Sequence, residues 1–254
     1  MATTIAISGK GGSGKTTIAA MIVRHLCAKS SGPVLAVDAD PNSCLGMTLG
    51  VEPTGTIAQI REDVVQKPAT NTGIDRVRSF EYGIQQAITE ADGFDLLTMG
   101  RPEGPRCYCS ANNILREFLN KLSSQYAYVI IDNEAGMEHL SRRTTNDVDL
   151  LCIVAEQTPL GLITANRISE LAKQLPISVK KTGVVWNRVQ SPQKPDAIDT
   201  LGYIPFDNAV LDASAQGKSI FDLQKNCPAL SAVQKILEQK LNVKNCELTE
   251  NQKT

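Results

Sequence analysis

The sequence predicts one α/β domain built in three layers, with a mostly parallel central β-sheet flanked by helices. Short apolar runs alternate along the chain with segments whose apolar residues recur at a helical period. This alternation is typical of parallel sheets, because each parallel strand needs a long, usually helical, connection to the next. A chain of 254 residues with 42% hydrophobic content is long and apolar enough for one such domain with a sizeable core.

A glycine loop between the first predicted strand and the first predicted helix marks the candidate site. The apolar run Ile5–Ile7 leads into Gly-Lys-Gly-Gly-Ser-Gly-Lys-Thr at residues 9–16, and a helical pattern begins at Thr17. Glycines let successive backbone N–H groups point at one anion, and the helix N-terminus adds partial positive charge. The order of strand, glycine loop and helix predicts a P-loop NTPase that binds ATP or ADP.

The residues of this loop have separate expected roles. Lys15 is expected to reach the β- and γ-phosphates as a catalytic cation, and the Thr16 hydroxyl to take a position in the Mg²⁺ coordination shell. The other nucleotide ligands expected here are Gly11, Gly12, Ser13, Gly14 and Thr17.

A second lysine, Lys10, lies near the start of the loop and gives it a Lys-Gly-Gly-x-Gly-Lys-Thr pattern. This pattern resembles the deviant phosphate-loop ATPases, which include partitioning and division-site ATPases, the nitrogenase iron protein and several metal-cluster maturation factors. In that class the first lysine reaches across a dimer interface to the partner's nucleotide. The resemblance therefore implies a homodimer with Lys10 as a catalytic residue in trans. The alternative is a solvated lysine without this role.

Acidic residues end two of the predicted strands. Asp38 and Asp40 follow the apolar run Val34–Val37, and Asp132 follows Tyr128–Ile131 as a Walker B aspartate would. Phosphoryl transfer depends on positioning and electrostatics, so a carboxylate is needed to hold the attacking water in line. The class resemblance implies that Asp40 positions or deprotonates this water and that Asp38 helps to hold the Mg²⁺ water shell. Asp132 is expected to bind Mg²⁺ through water.

Other roles remain open for some of these acids. The Asp-x-Asp pair at residues 38–40 could simply cap the next helix, a common role of aspartate. Glu134 begins a predicted switch loop that could sense the γ-phosphate, but Glu134 and Glu138 could equally be solvated charges.

Two segments near the end of the chain are candidates for the base pocket. Asn187 ends a predicted strand at residues 182–188. The class resemblance implies that its amide, which both donates and accepts, reads the adenine edge; a simple turn role is the alternative. It also implies that the backbone of Pro205 and Phe206, after the next strand, lines the base pocket.

Cys107 and Cys109 flank Tyr108 after a glycine- and proline-rich loop. Two cysteines at i and i+2 of an extended stretch place both sulfurs on one side, and thiolates suit Ni²⁺, Zn²⁺ or Cu⁺. Two ligands leave such a site half empty, but a two-fold axis in a dimer would bring four thiolates together. The chain has only two histidines, and we expect His25 to be structural. Ordinary small residues at a loop–helix junction are the alternative.

Two longer motifs narrow the resemblance. Gly-Arg-Pro-Glu-Gly-Pro at residues 100–105, followed by Cys-Tyr-Cys, and Asp-Asn-Glu-Ala-Gly-Met-Glu-His at residues 132–139 resemble the CooC-type family. These are nickel-insertion ATPases for carbon monoxide dehydrogenase, with close relatives that serve acetyl-CoA synthase. The resemblance implies a dimeric, ATP-hydrolysing metallochaperone whose Cys107 and Cys109 bind nickel or zinc at the dimer interface, with either enzyme as client.

Two other functions compete with metal insertion. An iron–sulfur ATPase that donates electrons needs a cysteine after the Walker B switch, and no cysteine occurs between Asp132 and Cys152. A partitioning or division-site switch needs a basic surface for DNA or a basic amphipathic tail for membrane, whereas the net charge is -1. We therefore expect neither a nucleic-acid nor a membrane partner.

The sequence also indicates the cellular compartment of the protein and the limits of its folded domain. No apolar run has the length of a membrane span and the N-terminus lacks a secretory pattern, which predicts a cytoplasmic protein with reduced cysteines. Residues 1–241 are expected to form the domain and residues 242–254 a disordered tail. Residues 42–91 are expected to form a helical insertion over one sheet edge, with helices at 56–65 and 79–89.

Overall fold

The computed structural model describes residues 2–29, 32–66, 73–101, 122, 124–134, 147–175, 177–193 and 198–241. The strands are β1 (Thr3–Gly9), β2 (Val34–Ala39), β3 (Thr89–Ala91), β4 (Phe94–Thr98), β5 (Tyr128–Asn133), β6 (Asp147–Glu156), β7 (Ser178–Val189) and β8 (Thr200–Pro205). The α-helices are α1 (Lys15–Lys29), α2 (Leu45–Leu49), α3 (Ile57–Gln66), α4 (Gly73–Ala87), α5 (Pro159–Gln174), α6 (Asn208–Ala215) and α7 (Pro228–Leu241). A short 3₁₀ helix spans Ile220–Asp222.

The eight described strands form one sheet in the order β3-β4-β2-β5-β1-β6-β7-β8. Of these neighbours, β3 and β4 pair antiparallel and the others pair parallel. The central strands read as continuous apolar runs because both of their faces are covered. The predicted mostly parallel sheet is confirmed.

Two hydrophobic cores lie on opposite faces of the sheet. Ile5 and Ile7 of β1 belong to the core that also contains residues of α1 and α7, whereas Ala6 belongs to the core formed with α3, α4 and α5. This alternation follows from the period of two along a strand. The predicted three layers are therefore confirmed. No helix in the described part of the chain is long and apolar enough to cross a membrane.

The sheet edge at β3 differs from the expectation. The helix expected at 79–89 instead begins at Gly73 and ends at Ala87, and Thr89–Ala91 pairs with β4 as a hairpin. Gly93, with φ of 84°, allows the tight Asp-Gly turn of this hairpin. The two helices pack against the sheet through residues such as Ile57 and Ile84. Both expected helices are therefore present, but the residues expected at the end of the second one form the edge strand β3 instead.

Several predicted features lie outside the described residues. They are the pair Cys107 and Cys109, the pair Glu138 and His139, and the tail after residue 241. These stay predictions, as does the limit of the domain at residue 241.

Candidate nucleotide-binding site

The carboxyl ends of three strands meet at the glycine loop. β5 lies between β2 and β1, and the register places Asp132 of β5 beside Asp38 of β2 and beside Ile7 of β1. The loop continues from β1, and α1 begins directly after it at Lys15. Open α/β sheets bind ligands at these carboxyl ends. Three distant parts of the sequence therefore contribute to one site.

Glycines determine the path of the loop. Gly12 and Gly14 have φ of 77° and 94°, in the left-handed region that glycine adopts without steric cost. A Cβ on Gly14 would lie only 2.4 Å from Nδ2 of Asn187, so this position also requires the absence of a side chain. The N–H of Ser13 donates to the Lys10 carbonyl at 3.2 Å and closes the turn.

The two lysines of the loop have different surroundings. Lys15 is only 7% exposed, and its Nζ donates a long hydrogen bond of 3.4 Å to the Lys10 carbonyl. A buried ammonium needs an anionic partner, which a phosphate would provide. Lys10 is exposed and lies beside a cavity of about 180 Å³ between the loop and the first turns of α5. The placement fits the expected division of roles, and both roles stay predictions.

A polar cleft runs along the loop. Its volume is about 490 Å³, within the usual range for small-molecule sites. The cleft is lined by Gly11, Gly12, Gly14, Lys15, Thr16, Thr17, Asp40, Pro41, Asn42, Glu134 and Arg188. Most of the predicted phosphate ligands therefore lie around one space large enough for a polyphosphate.

Asp38 and Asp40 make different local contacts. Asp38 is fully buried and accepts hydrogen bonds from the N–H of Leu45 at 2.8 Å and of Asp40 at 3.2 Å. Burial, with the nearby charge of Asp132, raises the pKa of Asp38 to about 7 despite these bonds. Asp40 lies on the cleft, and its Oδ1 accepts from both the backbone N–H and the Nδ2 of Asn42, each at 2.9 Å.

Asp38 therefore does help to start α2, as the capping alternative supposed, because Leu45 is the first residue of that helix. Asp40 holds its own turn together while remaining partly exposed to the cleft. The expected roles of Asp38 at Mg²⁺ and Asp40 at the attacking water are compatible with these contacts and stay predictions.

Asp132 has the surroundings of a metal-binding carboxylate. It is fully buried, and neither oxygen has a hydrogen bond of normal geometry to a described residue. Burial raises the pKa of Asp132 to about 6, although the nearby Thr16 hydroxyl and Lys15 ammonium favour the charged form. A buried carboxylate without a well-formed hydrogen bond is costly unless a cation neutralises it. Together with Thr16 and Asp38, it provides the hard oxygen ligands that Mg²⁺ prefers, so these residues fit the ion.

A smaller pocket lies next to the cleft and shares Gly14, Thr17 and Arg188 with it. Its volume is about 90 Å³, and its lining includes Gly14, Thr17, Asn187, Pro205 and Phe206. The predicted base-binding residues are therefore brought together beside the loop. Phe206 is 46% exposed, which leaves its ring available to cover a flat base.

Asn187 makes a contact that the sequence did not indicate. Its Nδ2 donates a hydrogen bond of 2.8 Å to the carbonyl of Ser13 in the glycine loop. This bond turns the amide nitrogen toward the loop and leaves Oδ1 as the atom that can accept from an amino group such as N6 of adenine. The adenine role stays a prediction, and to it the structure adds a role in holding the loop.

Three further residues of the site were not found from the sequence. Arg188 donates to the carbonyl of Gly12 at 3.2 Å and to Glu156 at 2.9 Å. Asp207 accepts from the N–H at the starts of α6 and α7 and from the thiol of Cys227. Asp207 directly follows Phe206 and so fixes the loop that carries the pocket residues. Nothing in their residue types or spacing distinguishes Arg188, Glu156 or Asp207 from ordinary surface charges.

Thiolate metal sites are not found in the described part of the chain. Its free cysteines are Cys27, Cys44, Cys152 and Cys227, and its described residues contain no group of three or more His, Cys, Asp or Glu placed to hold a metal ion. Cys152 is buried in the core, and His25 is half-buried in α1. The pair Cys107 and Cys109 lies outside the described residues, so its metal-binding role stays a prediction.

Comparison with known proteins agrees with this geometry. The family profile described as the CobQ/CobB/MinD/ParA nucleotide binding domain matches residues 4–220. An uncharacterized ATP-binding protein of Methanocaldococcus jannaschii is 39% identical over 252 residues, covering 94% of this chain and 99% of that protein. The carbon monoxide dehydrogenase accessory protein CooC of Rhodospirillum rubrum is 34% identical over 242 residues, covering 88% of this chain and 91% of that protein.

A solved structure resembles the fold closely. The septum site-determining protein MinD of Pyrococcus horikoshii OT3, complexed with Mg-ADP, superposes with a TM-score of 0.67 and covers 94% of this chain and 96% of that one. At 21% identity this similarity concerns the fold alone.

Proposed function

The chain belongs to the CobQ/CobB/MinD/ParA family of P-loop ATPases, and within that family we propose that it is a dimeric metallochaperone. In this proposal, ATP hydrolysis drives the insertion of nickel into carbon monoxide dehydrogenase or acetyl-CoA synthase. The observation that carries it is the near full-length similarity to the carbon monoxide dehydrogenase accessory protein. The motifs at residues 100–109 and 132–139 point in the same direction.

Nucleotide binding uses the loop and its supports. Backbone N–H groups of the loop and the buried Lys15 bind the phosphates, and the 2.8 Å bond from Asn187 holds the loop in place. The base lies against Pro205 and Phe206 in the adjacent pocket. Desolvation of Lys15 strengthens its attraction to the phosphates, since charges interact more strongly away from water.

Hydrolysis requires one water to be held in line with the γ-phosphate. Asp40 faces the cleft and is fixed by its bonds to Asn42, so its second oxygen is available to orient that water. Thr16, Asp132 and Asp38 would hold Mg²⁺, whose charge would neutralise the phosphate oxygens. Asp38 of β2 and Asp132 of β5 are buried and lie beside each other in the register of the sheet.

The exposed side of the loop supports the proposed dimer. Lys10 projects beside the first turns of α5, where Leu160 and Ile163 are 55% and 48% exposed. Exposed apolar residues next to a functional cation are typical of a surface that becomes covered by a partner. In the proposed dimer, Lys10 of each chain contacts the nucleotide of the other.

The nickel ion is the cargo in this proposal. Cys107 and Cys109 provide two thiolates from each chain, and the dimer axis completes a four-thiolate site. Loss of the γ-phosphate relaxes the segment after Asp132 and changes the geometry of the thiolates, which releases the ion to the client enzyme. This part of the proposal is based on the sequence motifs alone.

Anaerobic titration tests the cargo assignment. Ni²⁺ is added to reduced protein with and without ADP, bound metal is counted by mass spectrometry, and the mass of the assembly is followed by light scattering. We expect one nickel ion per two chains. The variant Cys107→Ser/Cys109→Ser is expected to lose this ion while its nucleotide binding is unchanged.

The control is Cys44→Ser, which removes an exposed thiol that lies on a different segment. It is expected to bind nickel like the wild type. If nickel binding and assembly mass did not depend on Cys107 and Cys109, the metallochaperone proposal would be wrong and only an ATPase of unknown cargo would remain.

A further inference from the structure

The guanidinium of Arg188 lies at the junction between the glycine loop and β6. Its Nη1 donates both to the Gly12 carbonyl at 3.2 Å and to Oε1 of Glu156 at 2.9 Å. Arg188 lines both the phosphate cleft and the adjacent pocket. A guanidinium carries five N–H donors, so beyond the bonds of Nη1 it retains donors that a ligand could use.

The backbone at Arg188 is held in a sparsely populated conformation. Its φ is 56°, in the left-handed region that non-glycine residues adopt infrequently. The pairing of β7 with β8 is irregular here, between Trp186 and Val189. This conformation directs Asn187 and Arg188, although adjacent in sequence, to neighbouring carbonyls of the same loop, Ser13 and Gly12. Strained residues of this kind cluster at ligand-binding positions.

The present partner of Arg188 is easily replaced. The side chains of Arg188 and Glu156 are 48% and 44% exposed, and exposed ion pairs are weak. A phosphate in the cleft would offer a guanidinium charge-assisted and geometrically matched hydrogen bonds, which are stronger. The phosphates of a bound nucleotide would therefore attract Arg188 away from Glu156.

We infer that Arg188 is a phosphate ligand for nucleoside di- or triphosphates and that Glu156 is the counter-ion of Arg188 when no nucleotide is bound. Glu156 competes with the nucleotide for Arg188, so it lowers nucleotide affinity and assists product release. This inference deepens the proposed function, since it requires only that the cleft binds a nucleotide; it does not depend on the cargo.

A double-mutant cycle tests this competition. The dissociation constants of fluorescent ATP and ADP analogues are measured at low salt for wild type, Glu156→Gln, Arg188→Gln and the double variant, with urea unfolding of each to check the fold. Glu156→Gln is expected to tighten binding by about two- to fivefold, the range that an exposed ion pair spans. Arg188→Gln is expected to weaken binding by about ten- to hundredfold, as loss of a charged hydrogen bond does.

The decisive comparison is the effect of Glu156→Gln in the Arg188→Gln background, where we expect no change in affinity. The matched control is Glu170→Gln, which removes the acid of an exposed ion pair with Lys173 on α5 and is expected to leave affinity unchanged. Weaker or unchanged binding in Glu156→Gln would overturn the inference, as would equal tightening with and without Arg188. Since nickel is absent from this assay, its result is independent of the metallochaperone proposal.

Discussion

Replacing Asn187 by alanine removes the hydrogen bond of 2.8 Å that its side chain donates to the Ser13 carbonyl. Asn187 is only 9% exposed, so water replaces the lost donor poorly. Leaving a buried acceptor unpaired costs about 1–3 kcal/mol. For a domain of this size each kcal/mol lowers the melting temperature by about 2–4 °C, so a loss of about 2 kcal/mol predicts a decrease of about 4–8 °C.

The same substitution is expected to weaken ATP binding by about tenfold, equivalent to about 1.4 kcal/mol, because the loop loses its support. It should also reduce the preference for ATP over GTP. With Nδ2 turned toward the loop, Oδ1 can accept from the amino group of adenine, whereas guanine carries an acceptor oxygen at the corresponding position.

Thermal unfolding and competition binding with ATP and GTP measure these effects. The control is Asn208→Ala, the same chemical change at an exposed residue. An Asn187→Ala protein with unchanged melting temperature and unchanged ATP affinity would refute the role assigned to this hydrogen bond. A lower melting temperature with an unchanged ratio of ATP to GTP affinity would refute the adenine role alone.

Three further predictions concern individual side chains. Gly14→Ala places a Cβ 2.4 Å from Nδ2 of Asn187 at φ of 94°, so we expect loss of nucleotide binding and destabilisation by about 1–3 kcal/mol, measured by urea unfolding. Asp207→Ala removes an acceptor shared by two helix starts and a thiol, so we expect destabilisation by about 2–3 kcal/mol at pH 7. Partial burial raises the pKa of Asp207, but these hydrogen bonds outweigh it and hold the pKa below its ordinary value. The stabilisation is therefore complete above the unfolded-state pKa of about 3.9 and is lost as pH falls through the folded-state pKa, so the difference from wild type should shrink in acid. Burial raises the pKa of Cys152 to about 12, so maleimide at pH 8 should label Cys152 only on unfolding, while the exposed Cys44 reacts in the folded protein; peptide mapping that finds equal labelling would contradict this.

The sequence predicted the parts of the site that depend on residues close together along the chain. The glycine loop contains its own signal, because a strand, the glycines and a helix must follow one another without a gap. Asp38 and Asp132 were both expected near Mg²⁺, and they lie side by side because the carboxyl ends of parallel strands share one edge of the sheet.

The parts that the sequence missed depend on distant contacts or on backbone conformation. Arg188 and Glu156 are 32 positions apart and meet only because β6 and β7 are neighbours with Arg188 in a left-handed conformation. An arginine gives no sign of such a conformation, unlike a glycine. The double role of Asp207 at α6 and α7 likewise depends on a contact over 22 positions.

The hairpin of β3 and β4 was also missed, although the sequence contains a turn signal for it. Asp92-Gly93 is a strong hairpin turn, but the helical spacing of apolar residues just before it, including Ile84 and Ala87, favoured extending the helix. The antiparallel pairing of Thr89 with Leu96 prevailed, supported by the bond from the N–H of Thr54 to the Thr89 hydroxyl at 2.9 Å.

Activation of a client enzyme tests the central proposal most directly. Purified nickel-free carbon monoxide dehydrogenase is incubated anaerobically with limiting Ni²⁺ and the wild-type chain, or with Asp40→Asn, in the presence of ATP, ADP or no nucleotide. Asp40→Asn keeps an oxygen that can accept from Asn42 but removes the charge needed to position the attacking water. We predict activation only by the wild type with ATP. Equal activation with ADP, without nucleotide or by Asp40→Asn would contradict a role for ATP hydrolysis in nickel insertion.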